Sequence, residues 1–315
     1  MTTRPGRAGA AAGARAQGRR DLLRAVGAGM AMAACPVPAL AARIGDLVGA
    51  HEVVIATAET TLADLALAKD LGFVELVAAN PGVDAWVPEP GTAIVLPGAH
   101  LLPEAPRRGI VVNYADQRLY LFPPEGGAAI TYPVGIPSEE LPLRLGTTTI
   151  TAKRRNPTWT PTRSTHAANP NLPRVVPPGP DNPLGSRALN LGWAGYVIHG
   201  TNRPYGIGRR VSQGCVRLYE ADIHQLFGNI AVGTPVRFVD QPIKLGWDRD
   251  RLMLEIHPSI RQAAALQESR PAAVEPLPEL RARVTRAAGA RASQVDWTAV
   301  ETIAAERKGM PTRIL

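Results

Sequence analysis

Cysteine is nearly absent from this chain: Cys35 and Cys215 are the two in 315 residues. That excludes a disulfide scaffold and a multi-cysteine zinc framework. Aromatic residues make up 5%, against thirty prolines and thirty glycines, which argues against a helical bundle and for a turn-rich, strand-leaning fold. No long, strongly apolar run is present. The uncharged stretch from Ala25 to Ala42 is largely Ala, Gly and Met and contains Pro36 and Pro38, whereas a bilayer span needs about 20 apolar residues, so no permanent transmembrane anchor is expected. No C-x-x-C or H-x-x-x-H spacing occurs, which argues against a zinc site.

The formal charge of +8 invites a nucleic-acid reading, but it is unevenly placed. Arg4, Arg7, Arg15, Arg19, Arg20 and Arg24 face Asp21 alone in the first 42 residues, which leaves only +3 for the rest. Nucleic acid is therefore set aside. The same 42 residues have the order of an export signal: a basic stretch, a weakly apolar core from Ala25 to Ala34, and the small-residue run Ala39-Leu40-Ala41-Ala42. Arg19-Arg20-Asp21-Leu22-Leu23-Arg24 resembles a twin-arginine motif, which implies a periplasmic or envelope location. Met32-Ala33-Ala34-Cys35 is a poor lipoprotein box, so Cys35 is expected to leave with the signal, with lipid attachment there as the alternative. In an oxidising compartment Cys215 would then stand alone, either buried and inert or kept for its chemistry.

Four segments are read along the chain: the signal at 1–42, a small module at 49–98, a larger domain at 109–240 and an extension at 241–315. In the module, Val53-Val54-Ile55 reads as a strand and Thr60 or Thr61 as the cap of a helix through Leu62, Leu65 and Leu67. A second helix from Phe73 to Ala79 ends at Asn80-Pro81-Gly82, and Thr92 to Leu96 closes the unit. Short strands follow at 109–114, 118–122, 129–134, 147–153, 196–199 and 235–239, the spacing of a mainly β sandwich or barrel. The Pro-rich run from Asn156 to Gly185 reads as a long loop walling a groove, and Glu220 to Ile230 as a helix with Leu226, Phe227 and Ile230 inward. From Gln241 onward a strand at Leu252–Ile256 and a last helix near Trp297–Arg307 suggest a packing or spacer extension.

The chemistry concentrates in Ile198-His199-Gly200-Thr201 and Val211-Ser212-Gln213-Gly214-Cys215-Val216-Arg217. An imidazole beside a thiol accepts its proton and later returns it. His199 ends an apolar strand, and the sixteen positions to Cys215 include Gly200, Gly206 and Gly208, so the loop has the freedom to fold back. Gly214 permits a tight turn that leaves backbone N–H groups free to face an oxyanion. Taken singly, a lone Cys is ordinarily a buried hydrophobe and a lone His an ordinary hydrogen-bonded residue.

Together, these two stretches closely resemble the active-site signature of the L,D-transpeptidases, the YkuD-type catalytic domain. Asn113–Leu121, Tyr132-Pro133-Val134-Gly135, Pro157–Thr162 and Gly179–Gly185 resemble the same family. The module resembles a LysM peptidoglycan-binding unit, although Ala58-Glu59-Thr60-Thr61-Leu62 replaces the usual Gly-Asp-Thr-Leu. The resemblance implies a mainly β, YkuD-type β-sandwich with a βααβ LysM-like module. It also implies Cys215 as nucleophile, His199 as general base and acid, and Gly200 as the residue whose carbonyl orients the ring. Ser212, Gly214 and Arg217 would shape the turn and the substrate pocket, with Arg217 either contacting a substrate carboxylate or pairing structurally. Gln213 stands where histidine is commonest, a variant the family tolerates, and the departure bears only on a second-histidine role. The implied partners are peptidoglycan stem peptides, with a second stem or a wall-anchored lipoprotein as amine acceptor. The alternatives are a peptidase of the same fold using water, and a non-catalytic wall-binding protein.

Overall fold

The computed structural model describes residues 45–315, apart from 139, 140, 142, 213, 271 and 272. The expected export segment with Cys35, and Gln213, lie outside the described residues. Among the described residues no helix is long and apolar enough to cross a membrane.

The chain first builds a βααβ unit. Strand β1 (Glu52–Ile55) pairs antiparallel with β2 (Ala93–Leu96), and helices α1 (Leu62–Ala68) and α2 (Phe73–Ala79) lie between them in sequence. Thr61, not Thr60, caps α1: its hydroxyl accepts the Asp64 N–H at 3.0 Å, satisfying one of the free donors of the first turn. Leu62 and Ala66, one helical turn apart, enter the core with Phe73, Leu76 and Ile94, whereas Leu67 faces solvent. Asn80 explains where α2 stops. Its amide donates to Leu76 O and Val95 O, both at 2.8 Å, and its carbonyl accepts Val95 N–H at 2.7 Å, so the helix end is tied to β2.

The protein is mainly β, and its centre is one curled eight-stranded sheet. The strands are β3 (Gly109–Asn113), β4 (Arg118–Phe122), β5 (Ile130–Pro133), β6 (Gly146–Arg155), β7 (Arg187–Leu191), β8 (Val197–His199), β9 (Val216–Arg217) and β10 (Pro235–Val239). Their order is β9-β8-β7-β6-β10-β3-β4-β5, with β8/β9 and β10/β3 parallel and the other pairs antiparallel. Alternation decides which side chains enter the core. Val236 and Phe238 are buried while Arg237 is exposed, and Ile110, Val112, Leu119, Ile150, Leu189, Ile198 and Val216 join them. Helix α3 (Glu220–Asn229) closes this core with Ile223, Leu226 and Phe227. The continuous apolar run in β3 has a separate reason: its other face is also covered, with Val111 packed on Tyr120, Phe122 and Leu102.

Two stretches carry more structure than the sequence announces. The Pro-rich run holds a short helix at Arg163–Ala168 and a bridge between Trp159 and Val176. Fully buried Asn182 knits it, donating to Pro157 O at 2.8 Å and Pro177 O at 3.0 Å. The C-terminal stretch forms its own sheet from β11 (Ile243–Asp248), β12 (Arg251–Ile256) and β13 (Thr312–Arg313), packed on α5 (Leu280–Ala288) and α6 (Trp297–Glu306) around Leu252, Leu254, Val284 and Val300. Helix α4 (Ile260–Gln267) instead sends Ala263 into the core of the βααβ unit.

A buried charge cluster joins these parts. The Lys244 ammonium donates to Asp116 Oδ2 at 2.8 Å and to Tyr120 OH at 2.9 Å, and lies 2.7 Å from Glu255 Oε1. Glu255 also accepts the Leu101 N–H at 2.5 Å, and Arg118 of β4 pairs with Glu75 of α2 at 2.6 Å. Each of these ions is buried, so each depends on its partner to offset lost hydration.

Candidate active site

The parallel pairing of β8 with β9 sets Ile198 beside Val216 and His199 beside Arg217. Ile198 and Val216 point into the core. Side chains alternate across a strand, so His199, Arg217 and Cys215, which immediately precedes β9, share the opposite face of the sheet. Three chemically active groups are thereby brought onto one face at the sheet's edge.

His199 is 3% exposed, and its Nδ1 lies 2.5 Å from Gly200 O. A carbonyl only accepts, so Nδ1 carries the proton and Nε2 keeps its lone pair. Burial pushes the imidazole pKa down to about 3; the Gly200 carbonyl opposes this, while the charges of Arg217 and Arg154 reinforce it. The ring is neutral near pH 7.

Cys215 is half-buried, and its Sγ lies 3.9 Å from Gly195 O, in the connection between β7 and β8. Burial raises its pKa, and a backbone hydrogen bond at Val197 and the Arg217 charge pull it back only in part. The resting pair is thus a thiol and a neutral imidazole rather than an ion pair. Among the described residues no hydrogen bond joins the thiol to His199. Arg217 Nε has no hydrogen-bond partner, and burial lowers the guanidinium pKa.

The turn carrying the thiol is fixed from several sides. Ser212, almost fully buried, donates from Oγ to Cys215 O at 2.5 Å and closes the turn. Gly214 has φ +110°, a left-handed conformation that L side chains rarely adopt; no neighbour would meet a Cβ there, so conformation rather than space reserves the position for glycine. Arg217 and Gly135 exchange both backbone hydrogen bonds at 2.9 Å.

The loop from Asn202 to Arg210 rests on the βααβ unit, a contact with no sequence signal. Val74 N–H donates to Gly208 O at 3.1 Å, Tyr205 OH donates to Asp64 at 2.8 Å, and the Arg209 guanidinium stacks 3.5 Å above the Phe73 ring. A Cβ on Gly208, whose φ is +67°, would lie 2.2 Å from Gly72 Cα. Sequence reasoning also missed Glu220, whose carboxylate bonds Thr201 and Ser186 behind His199. Its only sequence cue is its position three residues after Arg217.

Metal-ligand chemistry offers no competitor on this face. Among the described residues Asp116, Glu255 and His257 bring ligand atoms together, but the Lys244 ammonium bridges the two carboxylates.

Residues 107–238 match the family model of the YkuD domain, the L,D-transpeptidase catalytic domain, which sets the class of the central sheet. The "Probable L,D-transpeptidase ErfK/SrfK" of Escherichia coli K12 is 40% identical over 251 residues, covering 77% of this chain and 78% of that one. YbiS of the same strain, also named a probable L,D-transpeptidase, is 38% identical over 277 residues, 85% of this chain and 88% of its own. YcfS is 44% identical over 197 residues, 60% and 62% of the two chains. The chain belongs to the L,D-transpeptidase family.

Proposed function

We propose that this enzyme is a peptidoglycan L,D-transpeptidase in which Cys215 is the nucleophile and His199 the general base and acid. The observation that carries the reading is the shared face of β8 and β9, where a thiol, a neutral imidazole with its Nδ1 proton fixed, and a guanidinium stand together. The substrate is a tetrapeptide stem, cut between the L-centre of its diamino acid and the terminal D-Ala. Rotation of the Cys215 side chain away from Gly195 brings the thiol to His199 Nε2, which takes the proton as sulfur bonds to the carbonyl carbon. Backbone N–H groups around Gly214 and Cys215 receive the oxyanion, and Ser212 holds the turn that presents them. The carbon–nitrogen bond then breaks, His199 returns its proton to the departing D-Ala amine, and a thioester remains. An amine from a second stem, or a lysine of a wall-anchored lipoprotein, attacks it, passing a proton through His199 to sulfur.

Arg217, beside the sulfur with an unpartnered Nε, binds a carboxylate of the stem. The βααβ unit is a LysM-like glycan-binding module, and its exposed Trp86 and Val87 offer the sugar-facing surface. The basic N-terminal segment exports the chain to the periplasm, where its substrate lies. No cofactor takes part.

The test is turnover of purified tetrapeptide stems with an amine acceptor. Cross-linked dimers plus free D-Ala, both absent with Cys215→Ala, are expected. Trimmed monomers alone would assign water as acceptor, and no turnover by folded protein would leave a wall binder.

A further inference from the structure

Glu220 opens α3 and lies between two loops. Its Oε1 accepts the Thr201 N–H at 2.9 Å, and its Oε2 accepts from Ser186 Oγ at 2.7 Å and Ser186 N at 3.2 Å. His224 Nε2 stands 2.6 Å from the same Ser186 hydroxyl. Two glycines make room for the carboxylate: a Cβ on Gly200 would lie 1.9 Å from Oε1, and one on Gly185 1.8 Å from it.

The Thr201 N–H and the Gly200 C=O belong to one planar peptide group and point from its opposite edges. One edge therefore meets the Glu220 carboxylate and the other meets His199 Nδ1–H at 2.5 Å. We infer that Glu220 is a positioning residue for His199, acting through the Gly200–Thr201 peptide as a buried acid acts directly in a Ser-His-Asp triad. A negative charge at the N–H edge polarises the peptide and makes its carbonyl a stronger acceptor. That holds the Nδ1–H tautomer and stabilises the imidazolium formed when the thiol proton is taken. No proton reaches Glu220, and it touches neither substrate nor sulfur.

The relay matters because everything else around the ring opposes protonation. Burial and the charges of Arg217 and Arg154 all lower the imidazole's basicity, and the Gly200 carbonyl alone raises it. The other charged or titratable neighbours of this arrangement include Cys215, His224 at the Ser186 hydroxyl, and Arg187, whose guanidinium donates to Ser186 O at 2.8 Å. The inference rests on the reading of Cys215 and His199 as nucleophile and base.

The experiment is the second-order rate of acylation by a carbapenem, followed by intact mass from pH 6 to 10.5 in the wild type and in Glu220→Gln. General-base assistance is needed while the thiol is protonated and dispensable once it ionises. The expected result is a rate about 10- to 100-fold below wild type near pH 7, closing to within about 3-fold at the alkaline end. Glu220→Asp should recover part of the neutral-pH rate. A merely structural role would lower the rate by one factor at every pH, and that outcome, or a wild-type profile, overturns the relay. Should Glu220→Gln fail to fold, Ser186→Ala carries the test. It frees the carboxylate from one anchor and should slow acylation several-fold near neutrality only; a rate equal to wild type at all pH overturns the relay. The two readings fail separately. A wild type that forms no adduct refutes the Cys215–His199 reading, whereas an adduct that requires Cys215 and His199 but ignores Glu220 refutes the relay alone.

Discussion

Two polar clusters lie against the central sheet, and their bonding differs in kind. Around Lys244 every formal charge is answered: Asp116 and Glu255 flank the ammonium, Tyr120 adds an oxygen, and a backbone N–H fills the remaining Glu255 oxygen. Around Cys215 the groups are neutral or open, with a thiol, an imidazole pushed to about pKa 3 and an Arg217 Nε without a partner. The first cluster spends its polar groups on joining segments of the fold. The second leaves donors and acceptors for something that arrives later. Polar groups are expensive to bury, and the unpaired Arg217 Nε lies beside a thiol rather than beside an ion of opposite sign.

The comparison can be broken from either side. The largest effect should come from Lys244→Met, which strands Asp116 and Glu255 without a cation and should destabilise the fold by about 3–5 kcal/mol. Urea denaturation measures it, and a loss below about 1 kcal/mol would mean the cluster is not what joins the segments. Acid should act next. His199 and His100 are both held neutral by burial, with pKa values below the ordinary 6.5, so the unfolded chain binds protons that the native one refuses. Stability present above pH 6.5 is lost as pH falls below it, by about 1.4 kcal/mol per pH unit for each such proton, and for His199 the loss runs down toward pH 3. His199→Gln should flatten that slope; an unchanged slope would show that the ring is not buried neutral.

Gly214→Ala should cost about 1–2 kcal/mol through its positive φ, with acylation falling further than stability because the thiol is re-aimed. The smallest effect concerns the thiol alone. Its alkylation by iodoacetamide should stay slow at pH 7 and climb only above pH 9, since burial raises the Cys215 pKa from that value. A plateau already reached at pH 7 would indicate a resting thiolate.

Much of this was legible in the sequence, and the reasons it ran out are local. The strands of the sheet with clean alternation, and the helix after Arg217, were readable because one face of each is apolar. Arg187–Leu191 was not, although it lies inside the sheet between Gly146–Arg155 and Val197–His199, because it is short and follows a Pro-rich run. Ile243–Asp248 hid behind Lys244, a charge at a position that faces inward and is answered by Glu255 on the neighbouring strand and by Asp116 and Tyr120 over a hundred positions away. Cys215, His199, Gly200, Ser212, Gly214 and Arg217 stood out as a group by spacing and resemblance. What spacing does not encode is which peptide edge meets Glu220, or that the loop between His199 and Cys215 leans on Phe73. Both depend on tertiary packing.

The central claim is that the sulfur of residue 215 is the acyl carrier, and intact-mass analysis after incubation with a carbapenem addresses it directly. The account predicts a single adduct per chain that peptide mapping places on Cys215 and that Cys215→Ala removes. An adduct on another residue, or none on folded protein, would contradict it.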